Sequence, residues 1–226
     1  MTNETNNTLE QPAIRDILFG DLPFSQWPNE ASTSVDGEPW LSFISARDQL
    51  DDGNQENAKQ TLRRILEMPD LESRHYLQAW HFLRELGESP TDGDTKHLYG
   101  VVVEVALDEG LDIVAAYADH TARYLNYSGA AIVWERPDDS LDQAIDSLLS
   151  AGRMVAAQIG PGEGPRPPAP PKGQLRINML VPSGLHFGQG PFEALSGDPL
   201  GGPVIVAAMQ LMQSLITRTH ETEQST

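Results

Sequence analysis

The chain has 226 residues, enough for one large domain or two small ones, and its 39% apolar content with 17 prolines implies a folded body diluted by tails and loops. Seven acidic and one basic residue in 1–38, eleven and seven in 39–96, and fifteen and seven in 97–226 spread a net charge of −18 along the whole length, with no lysine–arginine cluster of the kind a phosphate backbone needs. Cysteine is absent, which excludes a disulfide framework and a thiolate site, and the longest apolar run (203–216) falls short of the ~18 residues of a membrane span.

The opening stretch MTNETNNTLEQ lacks the basic start and apolar core of a secretory signal, and a cytoplasmic location is expected. Residues 1–38 are polar, hold Pro12, Pro23 and Pro28, and show no periodicity, so a largely disordered acidic tail is expected. Within it 13–28 differs. Ile14, Ile17, Leu18, Phe19, Leu22, Phe24 and Trp27 are too many apolar groups for a solvated tail, so this segment should dock, on its own chain or on a partner.

Residues 39–90 read as a helical unit of three helices. The first starts at Trp40, carries Leu41, Ile44, Ala46 and Leu50 on one face, and closes at Gly53. Asn54 can cap the second, whose stripe is Ala58, Leu62, Ile65 and Leu66 and whose end is marked by Pro69. The third carries Leu71, Tyr76, Leu77, Trp80, Leu83 and Leu86 and stops at Gly87. Over 41–87 this spacing resembles a tetratricopeptide-like helical repeat: Ala46 and Leu50, Gly53 five before Ala58, then Leu62, Ile65 and a terminal proline, with Trp80 and Leu83 opening a further repeat. The proline arrives one residue early, and Arg84 stands where a glycine is usual. The resemblance implies protein–protein contact, and a unit of one and a half repeats must lean on the rest of the chain.

The turn-rich 87–94 leads into an α+β domain over 97–218. Alternation predicts three antiparallel strands in 97–135, joined by Asp108–Glu109–Gly110 and by a turn at 127–129, with a bend near 119–121. A helix follows over 140–158, with Ser140 and Gln143 as a capping box. Six prolines and four glycines in 160–173 leave only an extended, solvent-facing loop, either a proline-rich docking motif or a spacer crossing the sheet. A strand over 174–182, a glycine-rich loop over 181–191 and a helix over 202–218 complete a β-β-β-α-β-α order, with 219–226 as a tail. The last helix is apolar nearly all round, which suits burial on the sheet or a homodimer interface.

No cofactor or metal motif is legible. In VPSGLHFGQGP (181–191) the glycines lack the lysine of a phosphate loop, and Ser183 lacks the frame of a nucleophile elbow. Ser183 and His186, three apart, can touch, but catalysis needs a third group to orient the base, and Glu104, Asp119 and Glu135 are the available acids. Glu104, alone among apolar strand residues, should need Arg123 or Arg176 as a partner. The stretch 117–127 concentrates Tyr117, His120, Arg123 and Tyr124. With Trp27, Trp80, Ser183 and His186 these form the candidate interaction or ligand face.

The reading is of a non-enzymatic, cytoplasmic interaction protein: an adaptor, regulator or inhibitor whose protein partner has a basic face, acting without nucleic acid, membrane or cofactor. Two alternatives stand beside it. One is a small-ligand-binding protein or hydrolase-like enzyme with a site near His120 and His186. The other is an acidic immunity-type inhibitor of a basic nucleic-acid-binding partner.

Overall fold

The computed structural model describes residues 14–28 and 36–224, with side chains described as far as Thr219. The tail expected at 1–38 therefore lies partly outside the described residues, as do 225 and 226. Among the described residues six α-helices and one six-stranded antiparallel sheet make an α+β fold, with helices preceding the sheet.

Helices α1 (Trp40–Asp51), α2 (Gln55–Glu67) and α3 (Ser73–Glu85) precede the sheet in the chain. Gly53 and Gly87, at φ 76° and 79°, end α1 and α3 in the left-handed conformation that glycine adopts without a Cβ clash. Asn54 occupies the N-cap position of α2, but its side chain makes no capping bond. The three helices share a small core of Phe43, Ala46, Leu62, Ile65, Ala79, Phe82 and Leu83.

The sheet runs in the order β4-β3-β2-β1-β5-β6 and comprises β1 (Gly100–Ala106), β2 (Leu111–Tyr117), β3 (Ala122–Leu125), β4 (Ala131–Trp134), β5 (Gln174–Val181) and β6 (Gly184–Pro191). Two strands exceed the expected count. The bend near 119–121 is a full turn between β2 and β3, with His120 itself at φ 61°. The glycine-rich 184–191, expected as a loop, pairs along its length with β5 as an edge strand. Gly184, at φ 120°, lets the chain reverse tightly out of Pro182–Ser183.

Alternation sorts the strand residues onto two faces. On one, Val101, Val103, Val114, Ala116, Leu175, Ile177, Met179 and Val181 meet α4 (Asp142–Gln158) and α6 (Gly201–Gln224), forming the largest core. The capping box expected for α4 is absent: Leu141 is the N-cap and makes no side-chain bond, while the Ser140 N–H donates to Asp138. The short α5 (Phe192–Ser196) joins β6 to α6, which runs six residues past its expected end.

On the other face, Val102, Ile113, Ala115, Tyr117 and Leu180 pack against Leu77 of α3 and against Leu18 and Phe19. The latter two belong to the segment 14–28, which lies against its own chain and forms a 3-10 turn at Asp16–Leu18. It is tied there by the Leu22 N–H donating to Gln78 Oε1 at 3.1 Å, by Gln78 Nε2 donating to the Leu22 carbonyl at 2.7 Å, and by the Tyr117 hydroxyl donating to the Leu18 carbonyl at 2.8 Å. The proline-rich stretch crosses this face. Arg166 and Pro167 are half-buried and Pro170 is buried, so the stretch is not simply solvent-facing.

Candidate functional site

Ser183 and His186 do meet, at 3.0 Å between Oγ and Nε2. Their geometry is that of a latch. Ser183 donates its only hydroxyl hydrogen to the Thr95 carbonyl at 2.7 Å, so His186 Nε2 must be the donor toward Oγ. A histidine whose Nε2 carries the proton cannot take one from that serine. Burial, aided by Lys96, lowers the pKa of His186 and keeps the ring neutral; the Ile159 carbonyl works the other way without reaching bonding geometry. Among the described residues no acid orients the ring. Asp119 is held by Ser73 and Thr121, Glu135 by Arg123, and Glu104 by arginines on the opposite face.

Stretch 117–127 is dispersed by its own strand geometry. Tyr117 is fully buried, and desolvation raises its pKa. His120 points from the β2–β3 turn to Asp146 of α4 at 3.1 Å. It stands between three and four strand spacings from β6, at least ~14 Å across the sheet, so the two histidines do not converge. Arg123, 5% exposed, bonds the Trp134 carbonyl at 3.0 Å and Glu135 at 2.6 Å, closing the β3–β4 edge. Tyr124 donates to Asp112 at 3.0 Å, and desolvation together with that carboxylate pushes its pKa up to about 12. Trp27 lies half-buried against Trp40, Phe43 and His75, and Trp80 packs on the same helical core. The eight residues are therefore spread over the helical core, both sheet faces and the turns.

Glu104 is fully buried, and its partners are Arg176, its cross-strand neighbour on β5, and Arg15 from the docked segment. Arg15 Nε donates at 2.6 Å, Asn178 at 3.1 Å and Arg176 at 3.5 Å. Arg176 also donates to the Pro168 carbonyl at 2.7 Å and, through Nε at 2.8 Å, to Gln189. This network is structural. It pins the proline-rich crossing and the 14–28 segment to the sheet.

Two of the concave features among the described residues are well enclosed. Between the helix-bearing face of the sheet and α6 lies an apolar pocket of about 180 Å³, lined by Val103, Val105, Val114, Leu175, Ile205, Ala208, Met209, Met212 and Phe192, with Asp112 as the acidic member. Phe192 and Met209 are 40% and 47% exposed around it. A shallow groove leads on over Leu107, Asp108 and Glu109 and shares Val105 and Phe192 with the pocket. Sequence reasoning missed this pocket because its walls come from three strands and two helices, from Val103 to Met212. The second feature is a cleft of about 330 Å³ between α3, the segment 161–167 and the β5–β6 turn. Among the described residues no group of three or more His, Asp or Glu side chains is placed to hold a metal, and no helix is long and apolar enough to cross a membrane.

The chain matches no protein-family model, and neither the curated proteins nor the solved structures searched include a match to it.

Proposed function

We propose that this is a protein-binding protein that seats one large apolar side chain of a partner in the pocket beneath Phe192 and Met209, with an adjoining lysine or arginine over Asp108 and Glu109. The observation that carries the reading is the pocket itself. Its 180 Å³ is close to the ~150 Å³ of an apolar cavity that takes up benzene, so it suits one phenylalanine or leucine side chain. Exposed Leu107, Phe192 and Met209 supply an apolar rim, where a partner's anchor gains most from burial.

Charge selects the kind of partner. Among the described residues Asp108 has only the exposed Lys172 at 3.0 Å, an ion pair of little strength in water, and Glu109 has no ion pair. Against a net charge of −18, a basic segment is steered to this rim and an acidic one is repelled.

Selection from a randomised peptide library displayed on phage, against the wild type and against Phe192→Asp, tests this. Enrichment of a large apolar residue beside lysine or arginine, lost with Phe192→Asp, is expected. Enrichment that ignores the substitution, or no enrichment, contradicts it. A second copy of the chain is the competing occupant, and light scattering giving twice the monomer mass, abolished by Met209→Asp, would favour that instead.

A further inference from the structure

We propose that the 330 Å³ cleft between α3, the proline-rich crossing and the β5–β6 turn binds a small organic monocarboxylate, received by the guanidinium of Arg84. The charged groups that line the cleft are unequally compensated. Arg166 is neutralised by two carboxylates: it donates to Asp21 at 2.7 Å and to Asp16 at 2.9 Å, and lies over the Phe19 ring at 4.2 Å. Glu85 lies 3.4 Å from His81, and Glu163 stands exposed. Of the two arginines, Arg84 alone forms no ion pair with a carboxylate among the described residues.

Arg84 is half-buried, and its one hydrogen bond runs from Nη1 to the Pro182 carbonyl at 2.5 Å. Among the described residues Nε and Nη2 have no partner. These two N–H groups form the side-on edge of the guanidinium, the edge that grips both oxygens of a carboxylate in parallel. Burial lowers the pKa of Arg84, in keeping with a cation not fully compensated by the nearby Asp21 and Glu85. A counter-ion entering the cleft would supply the missing bonds.

Gly184 keeps the approach open. A Cβ built there would lie 3.9 Å from Arg84 Nε, so any longer side chain would lean on the edge the ligand needs. The remaining walls set the ligand's body. Phe19, Leu77, Leu180, Leu185 and Phe187 are apolar, and the cleft has about twice the volume of a cavity that takes benzene. A single negative charge on an apolar body matches one free arginine, whereas a dianionic phosphate would also have to face Asp21, Glu85 and Glu163.

The test is titration calorimetry with phenylacetate and N-acetylphenylalanine, which separate a free acid from a chain-terminal carboxylate, and with the amide of each. At least one acid should bind in the millimolar range or tighter, and its amide about tenfold weaker or worse, the difference a charge-assisted pair commands. Arg84→Gln should erase the preference for the acid. Should Arg84→Gln fail to fold, the Nε–H resonance of Arg84 in the wild type decides, since it must move on adding the acid and stay on adding the amide. Equal binding of acid and amide, an unmoved Arg84 resonance, or full binding by folded Arg84→Gln would each overturn the proposal. The site shares only distant scaffold with the apolar pocket, so either can fail without the other.

Discussion

Glu104 shows how far one residue can be read. A lone carboxylate in GVVVEVA cannot be buried without a cation, and Arg176, expected as a partner, faces it across the β1–β5 ladder. The other expected partner, Arg123, goes to Glu135 instead, and Arg15 takes its place from 89 positions away, a pairing that no local pattern encodes. Removing one partner of a buried ion cluster leaves the others uncompensated. Glu104→Ala should therefore cost about 3–5 kcal/mol in urea unfolding, far more than a surface substitution. The buried histidines set a pH dependence. His75 and His186 both have pKa values lowered by burial, so the unfolded chain takes up protons first. Their stabilising contribution is complete above the unfolded value of about 6.5 and declines as pH falls below it. The melting temperature should be lower at pH 5 than at pH 7.5, and a His186→Gln variant should show a smaller drop. Equal slopes would mean that the ring titrates freely.

At the scale of elements, the helices were legible because their apolar positions recur at helical spacing and their ends carry Gly53 and Gly87. Two strands were not. Glycine and proline are poor strand residues, and GLHFGQGP holds three glycines and a proline, yet a β5 buried on both faces supplies a complete ladder for it to pair with. The β2–β3 reversal was hidden because His120, not glycine, takes the left-handed position. Gly152 of α4 marks a close approach that composition could not reveal: a Cβ there would sit 2.4 Å from Cγ2 of Val101. Alanine should gain up to about 1 kcal/mol of helix propensity over glycine, but wedging a stiff, fully buried valine costs about 1–3 kcal/mol. Gly152→Ala should thus be destabilising on balance in denaturant titration, and a gain in stability would show that α4 can slide off β1.

At the scale of the whole molecule, the sheet is covered on one face by α4 and α6 and on the other by α3 and the segment 14–28. The segment's apolar density signalled docking, and its seat is on its own chain through Leu18, Phe19 and Leu22. Leu18→Ala should cost about 2–5 kcal/mol and expose Tyr117 to acrylamide quenching, whereas a dispensable appendage would lose less than about 1 kcal/mol. The candidate face was only partly legible. Aromatic and basic residues of 117–127 were conspicuous in sequence, but strand alternation and turns send them to different sides. The apolar pocket instead draws on valines, leucine and methionines that looked like ordinary core.

The most direct measurement is a methyl-resolved NMR titration with a lysine-phenylalanine-lysine tripeptide amide and its glutamate-flanked counterpart. The basic peptide should move the methyl signals of Val105, Met209 and Met212, more strongly at low salt, and the acidic peptide should not. Shifts confined to other regions, or equal shifts from both peptides, would contradict it.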